Sequence, residues 1–198
     1  YQVALAKDGS NTVSNKPNTI KLPSINTSDL KLRDLRSLRQ ADHVYCGSKA
    51  ANLGQINANI KAANVPDGFC IPFGYYQQFM QQLGIDSAYL QHMEASFKGN
   101  NRARRAGLLA LQEKIQAAPV PQAWQDAWSA QWQGQLQGQG VFVRSSSNSE
   151  DLPNFSGAGL YTTVPNVKSK QALSEAVKQS WASVFNYSAY EARRIAGL

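Results

Sequence analysis

The stretch "VFVRSSSNSEDLPNFSGAGLYTTV", Val141 to Val164, decides how this chain is read. It opens as an apolar, β-branched run, Val141 to Val143, which predicts a short strand. Arg144 and three serines follow, then Glu150, Asp151 and a loop with glycines at 157 and 159. Leu160 to Val164 predicts a second strand. An arginine at the end of a strand with apolar neighbours needs an anion, because burying it unpaired costs several kcal/mol. Glu150 and Asp151 could supply that anion from within the chain. A phosphate could supply it from outside, held in bidentate fashion by the planar guanidinium. Spacing alone favours neither. Gly157 and Gly159 bracket Ala158 between Phe155 and Leu160, which can anchor the segment at both ends. Such a loop lets backbone N–H groups approach a polyphosphate closely, and a plain tight turn is the bland alternative.

Outward from this stretch the pattern is mostly helical. Residues 1–27 are polar and turn-rich and predict an extended lead-in. From Ser28, "SDLKLRDLRSLRQ" spaces leucines at 32, 35 and 38 and arginines at 33, 36 and 39, predicting a short helix with a greasy and a basic face. "GSKAANLGQINANIKAA" predicts a second, with Ala50, Leu53, Ile56 and Ile60 on one side. Phe69 to Ile71, between Pro66 and Pro72, reads as a buried strand. A helix with Tyr75, Tyr76, Phe79, Met80 and Leu83 inward comes next. Further helices carry Tyr89, Leu90, Met93 and Phe97, then Leu108, Leu109 and Ile115, the latter stopped by Pro119. Trp124, Trp128 and Trp132 recur every fourth residue, a row that suits packing between helices better than a sugar platform. Ser169 caps a helix burying Leu173, Val177, Trp181 and Val184, and Ser188 with Glu191 forms a capping box for the last. The chain reads as α+β, helix-rich, with a small mixed or antiparallel sheet.

Composition bounds the function. Of 198 residues, 42% are hydrophobic and 17% charged, enough apolar material for a core. No apolar run approaches the roughly 20 residues that a membrane helix needs. Twenty Lys+Arg against thirteen Asp+Glu give +7, which favours anionic partners without choosing among them. Cys46 and Cys70 have no zinc spacing; two inert thiols are the plain expectation, and a disulfide between them would suit an exported chain. His43 and His92 read as structural or solvated. In "CGSKAANL", Lys49 lies in the first turn of a helix just after a glycine, where helix amides and an ammonium group can meet an anion. "GSKAA" is not a Walker A loop, because the G-x-x-x-x-G-K-[ST] spacing is missing.

Taken together, "VRSSSNSEDLPNFSGAGLYTTVPNV", "CGSKAANLGQI", "VPDGFCIPFGYYQQF" and "SWASVFNYSAYEARRIAGL" resemble the nucleotide-binding domain shared by pyruvate phosphate dikinases, phosphoenolpyruvate synthases, rifampicin phosphotransferases and glucan, water dikinases. Ala158 stands where phosphoenolpyruvate synthases usually carry glutamine, and "SGAGLY" is closer to the glucan, water dikinase form. The resemblance implies an ATP-grasp fold, of which residues 28–198 would be the N-terminal subdomain, ending before the second half. It implies that Lys49 and Arg144 contact ATP phosphates and that Gly157, Ala158 and Gly159 close over them, with Tyr161 or Thr162 near the end of the loop. Glu150 and Asp151 would support Arg144 and the loop. The cofactors implied are ATP and Mg²⁺, with the metal ligands in the missing half. The partners implied are that half and a phosphohistidine domain of the same parent chain. No catalytic residue falls in this segment, which alone would be inactive, and the cytoplasm is the expected compartment. The rival reading is a non-enzymatic basic domain for nucleic acid or another polyanion, resting on the net charge, on Arg102, Arg104 and Arg105, and on the arginines at 33, 36 and 39. No sequence-reading element accompanies them.

Overall fold

The computed structural model describes residues 22–149, 151–152 and 155–198, with Asp151 described through its backbone alone. The chain runs β1 (Arg33–Asp34), α1 (His43–Asn59), β2 (Phe69–Cys70), α2 (Phe73–Gln82), α3 (Ser87–Ser96), α4 (Asn101–Ala117), α5 (Gln122–Leu136), β3 (Val141–Arg144), β4 (Asp151–Leu152), β5 (Phe155–Ser156), β6 (Thr163–Val167), α6 (Lys170–Ala182) and α7 (Tyr187–Ala196). The strands form three two-stranded antiparallel ladders: β1 with β2, β3 with β6, and β4 with β5. The α+β, helix-rich reading holds.

Local chemistry starts the helices. Asp86, Asn100 and Ser169 each accept a first-turn N–H through the side chain, opening α3, α4 and α6. The main core lies among α2, α4, α5 and α6, around Phe79, Leu108, Leu111, Ile115, Leu173 and Val177. Trp128 is 0% and Trp132 3% exposed, and Tyr75 meets Trp124 and Trp128 edge-on, so the tryptophan row is packing. Lys178 is buried in this core, yet satisfied. Its ammonium donates to the carbonyls of Gln116 (2.7 Å) and Ala118 (3.0 Å) where α4 ends.

A second, smaller core joins Leu38, Cys46, Ala50 and Cys70, with Leu35 and Tyr45 at its margin. Here the expectation of two free thiols fails: Cys46 and Cys70 form a disulfide, their Cα atoms 5.9 Å apart. Register explains it, because Cys70 is paired with Arg33 in the β1–β2 ladder and so faces the start of α1.

Several elements differ from their sequence reading. "SDLKLRDLRSLRQ" is not a helix but β1 followed by two single 3-10 turns, Leu35–Ser37 and Gln40–Asp42. Aspartates take the local amides first: Asp29 accepts from Lys31 N and Asp34 from Arg36 N, both at 2.7 Å. Its arginines are latches rather than a solvated face. Arg33 pairs with Asp29, Arg36 with Asp67 (2.7 Å), and Arg39 donates to the carbonyl of Leu38 (2.7 Å). Ile56 and Ile60 stay exposed, and α1 packs instead through Ala50, Ala51 and Gly54. Leu109 is 56% exposed, Leu111 taking the inward position. The last strand begins at Thr163, not Leu160. Helix α7 begins at Tyr187 after Asn186, so Ser188 caps nothing and Glu191 is released to meet Arg104 at 3.0 Å.

Candidate functional site

The site is built where the start of α1 meets the segment after β3. Gly47 breaks α1 with φ 77 and ψ 164, so regular helix restarts at Ser48. Only glycine fits there. A Cβ on Gly47 would lie 1.7 Å from the carbonyl oxygen of Ser146. Across that close approach the Ala50 amide donates to Ser146 Oγ at 2.9 Å, and Ser48 Oγ lies 3.4 Å from Asn148 Oδ1. Two stretches 96 residues apart are thereby clasped. Lys49, half-buried, stands between the two bonded residues on α1. Arg144 ends β3, opposite Thr163 of β6, two positions before Ser146.

Arg144 corrects one premise of the sequence argument. It is exposed, on the same face of β3 as Phe142, and has no ion-pair partner among the described residues. Burial therefore does not force a partner on it, and the residue is open to solvent. Glu150 lies outside the described residues, as does the side chain of Asp151, whose backbone pairs with Ser156 in the β4–β5 ladder.

The glycine loop is anchored on both sides. Phe155 is buried before it, and after it Asn186 Nδ2 donates to the Leu160 carbonyl at 3.2 Å. Between these points Leu160 N bonds the Gly157 carbonyl (3.2 Å), closing a turn with Ala158 and Gly159 exposed at its tip. Gly159 has φ 75, and nothing lies within 4 Å of the position its Cβ would take. The tip faces open space. Tyr161 follows, its hydroxyl 3.4 Å from Ser149 Oγ and receiving a hydrogen bond from Arg193 Nη1 (3.3 Å). Arg193 Nη2 also donates to the Val184 carbonyl at 2.6 Å, tying the loop to α7. Thr162 is half-buried just before β6.

Sequence reasoning missed Ser146, Asn148, Asn186 and Arg193. The serine run and the α7 arginines were visible, but nothing local indicated which would reach across the fold. An open cleft of about 530 Å³ adjoins the clasp, lined by Gln40, Ala41, His43, Ser48 and Asn52. His43 is engaged with the Gln40 carbonyl at 2.8 Å. Among the described residues no group of three or more His, Cys, Asp or Glu gathers to hold a metal, and no helix is long and apolar enough to cross a membrane. Lysine, arginine and a glycine turn fit anionic phosphate oxygens; they are not the donor set for a divalent ion.

The helix-rich α+β architecture and this clasp define the class of domain, and comparison with known proteins supplies the family. Residues 43–198 match the pyruvate phosphate dikinase, AMP/ATP-binding domain family, and the chain belongs to it. It is 34% identical over 147 residues to phosphoenolpyruvate synthase of Aeropyrum pernix, covering 70% of this chain and 17% of that protein. Rifampicin phosphotransferase of a Streptomyces species is 28% identical over 152 residues, 77% of this chain and 18% of that protein. Phosphoenolpyruvate synthase of Deinococcus radiodurans is 27% identical over 157 residues, 78% and 20%. The chain thus spans about a fifth of the length of these relatives.

Proposed function

We propose that residues 28–198 form the N-terminal subdomain of an ATP-grasp nucleotide-binding domain in a phosphotransferase of this family. Lys49 and Arg144 neutralise the ATP phosphates, and Gly157, Ala158 and Gly159 cover them, with Tyr161 and Thr162 at the hinge of the loop. Glu150 and Asp151 support the arginine and the loop. Mg²⁺ bound with the nucleotide offsets charge on the transferring phosphoryl group, and its ligands come from the second half of the domain. In the intact enzyme a phosphoryl group of ATP passes to a histidine on a further domain and from there to the acceptor. The relatives bear names with different acceptors, rifampicin and the phosphoenolpyruvate couple. The nucleotide step is what such enzymes hold in common, and it is the step these residues serve.

One observation carries this reading: the α1 turn bearing Lys49 is clasped to the segment just after Arg144, through Ala50 N and Ser146 Oγ. This backbone tie between the two segments supports reading Lys49 and Arg144 as parts of one site. The rival polyanion reading loses support, because several of its arginines are engaged internally. Arg104 is 7% exposed and paired with Glu191, Arg105 stacks on Tyr187 at 3.6 Å, and Arg36 holds Asp67. The compartment follows the same reasoning as the substrate: ATP-dependent phosphoryl transfer suits the cytoplasm, whereas a disulfide suits an oxidising compartment. Thiol titration of freshly extracted protein decides between them.

The test is Mg·ATP binding by the full-length protein carrying Lys49→Ala or Arg144→Ala. Each removes a charge-assisted contact and raises Kd by about tenfold or more. Wild-type affinity in both variants would refute the assignment.

A further inference from the structure

We infer that Ser146 is a positioning residue for the nucleotide: from the far side of the site it supplies the helix cap that Gly47 cannot. This rests on the nucleotide-binding reading above.

A helix start leaves its first amides without intrahelical partners, and the residue before the first turn usually satisfies one of them with a side-chain oxygen. The helix that restarts at Ser48 has Gly47 in that place. Gly47 has no side chain to offer. Counting from it, Ala50 is the third helical residue, the position whose N–H a capping oxygen normally takes. That N–H is bonded to Ser146 Oγ at 2.9 Å, so the cap arrives from residue 146 instead of residue 47. The two features require each other. Any side chain at 47 would collide with the Ser146 carbonyl, and without the Ser146 hydroxyl the glycine start would be uncapped.

Two consequences follow for the chemistry. The Ala50 amide is occupied, so this helix start cannot present that amide to a phosphate. The cap also ties the register of Lys49 to the end of β3, fixing the lysine turn relative to Arg144. A cation acts on a transferring phosphoryl group through position, so loosening this tie weakens binding although neither cation is lost. The smaller core is held by the Cys46–Cys70 disulfide and by Leu38, neither of which uses the hydroxyl, so the expected effect is local to the turn.

The experiment is a double-mutant cycle on Mg·ATP binding in the full-length protein, using Ser146→Ala, Lys49→Ala and both together, with Ser146→Thr as the conservative rescue. Ser146→Ala raises Kd about tenfold in the wild-type background and less than about twofold when Lys49 is already alanine, while Ser146→Thr restores most of the affinity. A purely structural serine would give the same factor in both backgrounds. Full additivity, or unchanged affinity in Ser146→Ala beside weakened binding in Lys49→Ala, overturns this inference and leaves the nucleotide reading standing. Unchanged affinity in Lys49→Ala overturns this inference, and the nucleotide reading falls with it only if Arg144→Ala also binds as wild type. Hydrogen exchange of the wild-type protein needs no variant to fold: the Ala50 amide is protected before nucleotide is added, and exchange there at the rate of an exposed amide also overturns the inference.

Discussion

At the scale of single residues, two glycines with nearly the same backbone angle have opposite surroundings. Gly47 has φ 77 and presses against the Ser146 carbonyl; Gly159 has φ 75 and faces open space. Gly47→Ala therefore adds a collision to a strained backbone. It lowers unfolding free energy by about 2 kcal/mol or more, read from urea denaturation, and weakens Mg·ATP binding with it. Gly159→Ala carries the backbone term alone, about 1 kcal/mol. Its signature is kinetic, a changed rate of nucleotide association or release with little loss of stability, because among the described residues nothing lies within 4 Å of the position its Cβ would take. Equal losses of stability in the two variants would contradict this contrast. Glycine at both positions was plain in the sequence. Which one was locked and which one free was not, since the deciding neighbour of Gly47 is 99 positions further along the chain.

Among the elements, α7 shows how a distant partner overrides a local signal. Ser188 and Glu191 have the spacing of a capping box, yet Glu191 pairs with Arg104 of α4 at 3.0 Å and with Arg194 at 2.7 Å. The hydrogen bond from Arg194 is the main reason its carboxyl is held below the usual carboxylate range; burial opposes this, and the charge of Arg104 adds to it. A carboxyl lowered on folding stabilises the native state above its ordinary pKa, about 4.5, and that contribution disappears as pH falls through the depressed value. Wild-type protein accordingly loses thermal stability below about pH 4.5 more steeply than Glu191→Gln, and the two melting curves converge in stronger acid. Parallel pH profiles would show that the ion pairs of Glu191 add nothing to folding. The same principle sorts the rest of the fold. Helices α2, α4, α5 and α6 were legible because each repeats apolar residues over two or more turns against the main core. The arginine-rich stretch before α1 has a helical repeat of its own, but Asp29 and Asp34 capture its amides and β2 captures its register. Tyr161, placed in a strand by its β-forming neighbours, is drawn into the loop by Arg193 and Ser149.

For the molecule as a whole, the candidate site lies beside the weaker of two cores. The larger core binds α2, α4, α5 and α6 through more than a dozen buried side chains; the smaller rests on Leu38, Cys46, Ala50 and Cys70. In the smaller, one covalent bond does much of the work that apolar area does in the larger. Its disulfide spans 24 residues, and closing a loop of that size in the unfolded chain is worth about 3 kcal/mol on chain-entropy grounds. Elements with few buried contacts open locally at lower free energy than the global transition. Reduction with dithiothreitol therefore acts unevenly. Amide exchange accelerates across α1 and β2, while α4 and α6 keep their slow rates until the whole protein unfolds. On the proposed nucleotide reading, Mg·ATP added to the reduced protein slows exchange in the Lys49 turn again. Hydrogen-exchange mass spectrometry of oxidised, reduced and nucleotide-bound protein reads all three states. Uniform acceleration through α1, α4 and α6 on reduction would mean that the two cores open as one unit, and the site would then share the stability of the whole fold.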